Sequence, residues 1–331
     1  MTVIIGRREL LAALCGAAVA WPLAARAQQQ AMPVVGFLNN ASAWEYAAMS
    51  AAFRQGLSEN GYVEGRNVIV DYRWAEGHYD RLPAMAGELV RRQVAVIVTG
   101  GGLSAFAAKA ASETVPIIFT IGGDPVQLGL VGSLNRPGGN MTGVSVLSVA
   151  LVAKRLELLR ELLPAATHVA ALVNPANTTI IESTLRDLEP AGRAMGLQIE
   201  VVRASTSREI DAAFATFVRE RPDALFVDGD PFFNARRVQL VHLATLNKLP
   251  ASYQSRDFPE YGGLMSYGSN LTDAYRQVGV YAGRILKGAN PAELPVVQAS
   301  KLELVINAQA ARTLGLDIPP ALLARADEVI E

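Results

Sequence analysis

Short, continuously apolar runs alternate with amphipathic stretches along most of this chain. The runs are Val34–Leu38, Val68–Tyr72, Ala95–Val98, Ile117–Ile121, Val169–Val173, Ile199–Val202, Ala224–Val227 and Leu264–Met265. Strands that are apolar without a break, rather than at every second position, are covered on both faces, which is the condition of a parallel sheet. Between them, apolar residues recur every three or four positions. Met49, Phe53 and Leu57 fall on one helical face, as do Ile181, Leu185, Leu188 and Met195, and again Leu271, Tyr275, Val278, Ala282 and Ile285. Thr206 with Glu209 forms a capping box ahead of Ile210, Phe214 and Phe217, and Gly288 after Lys287 marks a helix stop. Strand–helix–strand alternation of this length predicts an α/β fold with right-handed crossovers.

The pattern occurs twice. One series runs from Val34 to about Gly143 and a second from near His168 to about Tyr267, separated by the turn-rich Arg136–Asn140 and a helix over Val152 to Leu163 that Pro164 ends. The first strand of each series ends alike, in Leu38-Asn39-Asn40 and in Val173-Asn174-Pro175. Two similar lobes facing one another follow from this repetition.

In open parallel sheets ligands sit beyond the carboxyl ends of the strands, where the loops are free and the next helices offer unpaired N–H groups. Those loops are polar in this chain. They hold Asn39, Asn40, Ser42 and Trp44; Gly100 to Gly102 and Ser104; Asp124-Pro125; Asn174, Asn177 and Thr178; Asp228 to Phe232; and Tyr253 to Arg256. Glycines such as Gly101 admit a ligand close to the backbone. Asp124 and Asp230 are candidates to hold an ammonium group, and Arg256 a carboxylate. Trp44, Phe232 and Tyr253 offer stacking surfaces. Each has a plainer alternative: the glycine run as a βα turn, the Asp-Pro pairs as turn or cap residues, Trp44 as cover for the first helix, Tyr253 as core, and Arg256 as a solvated loop charge.

The amino terminus changes the picture of location. Arg7-Arg8, the apolar run Leu10 to Ala20, Trp21-Pro22 and Ala25-Arg26-Ala27 have the order of an export signal cleaved after Ala27. The run of about 11 residues is too short to span a bilayer, which takes roughly 20. The paired arginines suit a twin-arginine signal, and the general secretory route stays open; a first core helix and a lipid-anchored Cys15 are the rival accounts. Cys15 is the single cysteine, so cleavage removes any disulfide or thiolate chemistry. About 300 residues remain, beyond what one core supports, which again asks for two lobes. With 30 basic and 31 acidic side chains in the whole chain there is no basic surplus of the kind nucleic acid or an anionic membrane attracts, and no long apolar segment follows Ala27.

Catalytic signatures are missing. There is no Gly-x-Ser-x-Gly elbow, no His-Glu-x-x-His and no dinucleotide fingerprint after the first strand, and His78, His168 and His242 are scattered without ligand spacing. No cofactor or metal is expected. Acid–base carboxylates carry no signature, so an exported α/β enzyme using a residue such as Asp124 stays an alternative.

Several segments together carry a resemblance: Phe53-Arg54-Gln55-Gly56-Leu57 with Gly61-Tyr62 and Glu64-Gly65-Arg66-Asn67; Ile117 to Thr120 with Asp124-Pro125-Val126 and Gly129-Leu130-Val131; Arg136 to Val144; Gly283 to Gly288; and Leu302 to Asn307. The chain resembles the ABC-transporter substrate-binding proteins of periplasmic binding protein type I, in the branch that looks like tryptophan/tyrosine-binding proteins. The resemblance implies two Rossmann-like lobes with mainly parallel sheets joined by a three-stranded hinge. The crossings would fall near Gly143–Leu147, Tyr267–Asn270 and Pro291–Val296, so that residues 33–145 with 270–290 make one lobe and 146–267 with 295–331 the other. It implies a non-catalytic, periplasmic, monomeric receptor that captures a small molecule between the lobes and delivers it to an ABC permease and its ATPase. It places the pocket on loops matching Ser104, Asp124, Asn174, Asp230 and Tyr253. One departure is visible: aromatic-binding relatives carry a His-Pro type loop after the first strand, where this chain has Asn39 to Trp44, which puts tryptophan or tyrosine in doubt as the ligand. A sensor that feeds a membrane receptor would use the same binding module. A two-lobed repressor would need an N-terminal helix-turn-helix where the export signal stands.

Overall fold

Each half of the chain builds its own sheet. The computed structural model describes residues 32–178, 180–299 and 301–331; the export signal expected over residues 1–27 lies outside the described residues. The first half runs β1 (Val34–Asn39), α1 (Ala47–Glu59), β2 (Ile69–Trp74), α2 (Leu82–Arg91), β3 (Val96–Gly100), α3 (Gly102–Ala111), β4 (Ile117–Ile121) and β5 (Met141–Ser145). The second runs α4 (Val152–Leu162), β6 (His168–Val173), α5 (Ile181–Ala194), β7 (Gln198–Arg203), α6 (Ser207–Glu220), β8 (Ala224–Val227), α7 (Pro231–Ala235), α8 (Arg237–Leu246), β9 (Ala251–Tyr253), α9 (Asp257–Glu260) and β10 (Met265–Ser269). The chain then adds α10 (Leu271–Leu286), β11 (Val297–Gln298), β12 (Leu302–Asn307), α11 (Ala308–Leu314), α12 (Pro320–Leu323) and β13 (Glu328–Ile330).

The six-stranded first sheet has the order β11-β5-β4-β3-β1-β2, and every pair in it is parallel. The seven-stranded second sheet has the order β13-β12-β10-β9-β8-β6-β7, with β10–β12 its one antiparallel pair. From the β2 and β7 edges both read second, first, third, fourth strand, the doubly wound order, so the repeat seen in the apolar pattern is a repeat of topology. These are two α/β lobes with mainly parallel sheets.

The capping signals act as their chemistry requires. Thr206 Oγ1 accepts from Glu209 N at 3.2 Å, and the Glu209 carboxylate returns to Ser205 N. Gly288 follows α10 at φ +97°, a left-handed turn that a side chain would strain.

Helix α10 packs along α1 in the first lobe. A Cβ on Gly56 would stand 1.9 Å from Arg276 O and one on Gly279 would stand 2.1 Å from Phe53 O, so the two backbones touch where neither residue has a side chain. Tyr275, Val278 and Ala282 of α10 complete the core with Phe37, Phe53 and Leu57. The apolar stripe read along this helix is therefore its core face, with Leu271 partly buried at its start.

The chain passes between the sheets after β5, at Asn270, and after β11. The third passage differs from the expected position near Pro291–Val296. Val297 and Gln298 still pair with Val144 and Ser145 in the first sheet, so the passage comes later, on the approach to β12. The three strands of passage are stitched side by side: Ser269 Oγ donates to Val146 O at 2.7 Å, Ala299 N to Ser145 O at 2.8 Å, and Asn270 N to Lys301 O at 3.1 Å.

Candidate functional site

In a doubly wound sheet the strand ends diverge beside the first strand, and each lobe opens a crevice there. In the first lobe this brings the Asn39–Glu45 loop beside Gly100–Gly102. In the second it brings Asn174–Thr178 beside Asp228–Pro231. The two crevices face each other.

The first wall is built from backbone and amides. Gly101 takes φ +99°, and a Cβ there would meet Asn40 Nδ2 at 2.7 Å, so glycine is what lets the turn into α3 pass so close to the Asn40 side chain. Helix α3 starts at Gly102 with no side-chain cap, which leaves its first N–H groups for another acceptor. Asn40 is 1 % exposed, and neither its Nδ2 nor its Oδ1 has a partner. A buried amide without partners costs roughly 1–3 kcal/mol, a penalty that functional sites carry. Asn39 is spent on structure: its Oδ1 accepts from Ala41 N at 2.9 Å and its Nδ2 donates to Tyr275 Oη at 3.4 Å. Tyr275 meets Tyr46 edge to face, with ring centres 5.8 Å apart. Burial raises the pKa of both phenols, so they stay protonated.

The second wall is a closed network. Asp230 caps α7, accepting from Phe232 N at 2.8 Å on Oδ1; the same oxygen takes Asn174 Nδ2 at 3.0 Å, and Oδ2 takes Asn177 Nδ2 at 2.6 Å. Burial raises the Asp230 pKa, and the amides from Asn174 and Asn177 oppose the rise. Beneath it, Asp228 binds Thr184 Oγ1 at 3.1 Å and Gly229 N at 2.7 Å. Burial and the neighbouring Asp230 push the Asp228 carboxyl up to about 6, with Arg155 pulling the other way. Arg155 is fully buried; it donates to Val227 O and to Ser252 O at 3.1 Å, and its guanidinium lies 4.2 Å from the Phe226 ring centre. Burial lowers its pKa to about 10, which leaves it charged at neutral pH.

The walls meet. Asn174 Nδ2 lies 3.3 Å from Tyr79 Oη, Arg236 Nη1 lies 3.4 Å from Glu45 Oε1, and Gln254 donates to Ser148 Oγ beside the first passage. Between the contacts runs a divided cleft. An outer chamber of about 380 Å3 is lined by Asn40, Trp44, Tyr79, Phe232 and Arg236 among others. An inner one of about 50 Å3 lies among Tyr46, Gly101, Thr120, Gln254 and Tyr275, with Pro231 common to both. Behind it, a groove of about 720 Å3 holds Asp124, Glu182 and Arg186 and shares Gly122 with the inner chamber. Of the two chambers in the cleft, the outer one reaches the size of a small-molecule site, roughly 300–1,000 Å3, as the rear groove also does.

Of the sequence-derived set, Asn40, Trp44, Gly101 and Phe232 line the chambers, while Asn39, Asn174, Asn177 and Asp230 stand in the walls behind them, bonded to the protein itself. Four others stand elsewhere or serve other needs. Ser104 is buried and donates to Gly101 O at 2.9 Å, holding the helix start rather than lining a chamber. Asp124 is exposed and caps Val126 N and Gln127 N in the rear groove. Tyr253 is fully buried in the second lobe, stacked on Phe258 at 4.2 Å, and borders a separate pocket of about 400 Å3 on that lobe lined by no Asp, Glu, Lys or Arg. Its role here is packing. Arg256 is held by Glu260, Glu303 and Glu328 at 2.8, 3.2 and 2.6 Å, so its guanidinium is occupied by three carboxylates of the protein itself. Sequence reading missed Tyr46, Tyr79, Ser148, Arg155, Gln254 and Tyr275. Tyr275 was visible only as part of an apolar stripe, and Gln254 only as a loop polar residue.

Among the described residues no group of three or more His, Cys, Asp or Glu could hold a metal ion, and no helix is long and apolar enough to cross a membrane.

Known proteins share this architecture. A conserved domain protein from Vibrio cholerae superposes with a TM-score of 0.83 at 29% identity, covering 90% of this chain and 100% of that one. The ABC domain from Streptococcus pneumonia in complex with L-Trp gives 0.82 at 26% identity, covering 91% of this chain and 100% of the other. A tyrosine-binding protein of Clostridioides difficile is 29% identical over 268 residues, 80% of this chain and 75% of its own. The solved structures carry the type I periplasmic binding protein fold. The family profile for ABC transporter substrate binding protein matches residues 39–330: the chain belongs to the ABC transporter substrate-binding protein family.

Proposed function

We propose that this protein is the extracytoplasmic solute receptor of an ABC importer, taking an amino acid with an apolar, aromatic side chain into the interlobe cleft and presenting it in the closed form to a permease. The observation that carries the ligand class is the first wall. An uncapped helix start borders the inner chamber, and a buried Asn40 amide without partners lies against the outer chamber faced with Trp44, Tyr79 and Phe232. The α3 amides would take the ligand carboxylate. Asn40 Oδ1 and the Tyr79 hydroxyl would accept from the ammonium within the field of Asp230, whose own oxygens are already filled. The aromatic faces would take the side chain. Relatives described as binding tyrosine or holding L-Trp favour the same class, although the loop after β1 differs from theirs.

Closure supplies the signal. A ligand touching both walls shifts open to closed only by its preference for the closed form; going from 1:99 to 99:1 takes about 5.5 kcal/mol. The test is a thermal-shift screen with L-tryptophan, L-tyrosine, L-phenylalanine and small carboxylates, beside native mass spectrometry of what co-purifies. A true ligand at 100 times its Kd stabilises by about 2.7 kcal/mol, a shift of several degrees. No shift with any of the three aromatic amino acids removes the proposed ligand class. A bound compound returned chemically altered would instead support an enzyme.

A further inference from the structure

At the outer rim of the cleft two neighbouring residues of one lobe meet two neighbouring residues of the other. Trp44 and Glu45 lie on the loop after β1. Arg236 and Arg237 lie where α7 passes into α8. Arg236 Nη1 reaches Glu45 Oε1 at 3.4 Å, while its Nε is fixed by Ser207 Oγ at 2.8 Å. Glu45 is itself held, accepting from Ser42 N at 2.9 Å. The Arg237 guanidinium lies 5.7 Å from the Trp44 ring centre and 4.9 Å from that of Tyr261. Those rings are 62% and 54% exposed, yet Arg237 is only 7% exposed: one aromatic ring from each lobe covers it. Its Nη1 donates to Asn234 O at 3.1 Å and its Nε has no partner; the carboxylate its charge acts on is Asp257, whose pKa burial raises and Arg237 pulls down, with no direct ion pair among those described.

A cation within about 6 Å of a ring face is attracted to it, more strongly when partly desolvated. The half of this arrangement contributed by Trp44 exists only while the lobes are together. An exposed tryptophan on a polar loop gains nothing from the core; its one described ring contact is with a cation on the opposite lobe.

We propose that Trp44–Glu45 and Arg236–Arg237 form a two-pronged clasp across the cleft mouth, an ion pair beside a cation–π contact, which sets how much of the protein is closed and how fast a bound ligand escapes. Arg237, which does not line the outer chamber, acts here as a positioning residue. The inference rests on the closure reading above and adds to it a device read in the unliganded protein, since Trp44 also faces the outer chamber.

The experiment uses the full-length protein with Cys15→Ser, spin-labelled at Glu113→Cys in the first lobe and Val218→Cys in the second, and reads the distance distribution between the lobes. Trp44→Ala, which removes an exposed side chain and leaves the fold intact, should raise the open-to-closed ratio about 5- to 10-fold. Glu45→Gln should raise it by a smaller factor, and 1 M NaCl should mimic that variant but not Trp44→Ala. Arg237→Ala should add nothing once Trp44 is gone. The exchange Glu45→Arg with Arg236→Glu should restore the short distance. A distribution that responds to added L-tryptophan but is the same in wild type, Trp44→Ala and Glu45→Gln overturns the clasp and leaves closure standing. A single fixed distance in every sample, with ligand or without, overturns both.

Discussion

The two lobes repeat one topology but face the cleft with opposite chemistry. In the second lobe the polar groups around Asp230 are engaged: Asp230 holds both asparagine amides, Asp228 holds Thr184 and Gly229, and Arg155 ties the carbonyls of Val227 and Ser252. In the first lobe Asn39, the counterpart of Asn174, is likewise bonded, but Asn40 beside it has nothing bonded to its side-chain amide, and the next helix start has no cap. The difference separates scaffold from receptor. A saturated network fixes geometry and costs stability when broken. An unsatisfied group costs stability as it stands and returns it when a ligand arrives.

That contrast sets the order of effects expected from substitutions. The largest falls on the second wall's foundation. Arg155→Ala leaves two buried carbonyls without their donor and a cavity against Phe226, so thermal unfolding should show a loss of roughly 3–5 kcal/mol. Asp230→Ala comes next, at roughly 2–4 kcal/mol, because it removes an acceptor shared by Asn174, Asn177 and the α7 cap. Ligand affinity should fall as well, since Asn174 no longer holds its place beside Tyr79. If either variant melts like wild type, the second wall is not the rigid one.

Asp228 makes a prediction in pH. Its folded pKa is raised to about 6 from an unfolded value near 3.8. The folded state therefore binds more protons than the unfolded state between those values. Stability contributed by the protonated group is present in acid and is lost as pH rises from about 4 to 6, by roughly 1–3 kcal/mol. Denaturant titrations across that range should show the decline in wild type and a flatter profile in Asp228→Asn. A smaller effect belongs to Arg256. Two of its partners, Glu260 and Glu328, are solvated, and the buried Glu303 keeps Lys301 and Asn270, so Arg256→Ala should cost about 1 kcal/mol or less and leave affinity untouched. A large affinity loss there would return Arg256 to the ligand's carboxylate.

The fold was legible because the strands are apolar without interruption. β1, β4, β6 and β8 lie within a residue of the runs that predict them. β5 and β9 were not, for β5 reads Met-Thr-Gly-Val-Ser and β9 is three residues long, and neither makes an apolar run. The candidate site was legible where polar residues follow a strand directly, as at Asn39-Asn40, Asn174 and Asp230. It was illegible where a side chain arrives from distant sequence. Tyr79 comes from a 3-10 turn and Tyr275 from a helix inserted after the second sheet, and no local spacing announces them. Tyr253 and Arg256 sat at the right kind of strand end, but tertiary partners claimed them: Phe258 for one and three glutamates for the other.

The first wall carries the central claim, and Asn40 is its most exposed point of test. Calorimetric titration of L-tryptophan and L-tyrosine into wild type and Asn40→Ala, with melting curves of both, measures it directly. The account predicts one site per chain, an affinity loss of about 10-fold or more in the variant, and an unliganded melting temperature that stays level or rises, because the lost amide had no partner. Equal affinity in the two proteins, or a variant that melts well below wild type with no ligand present, would contradict it.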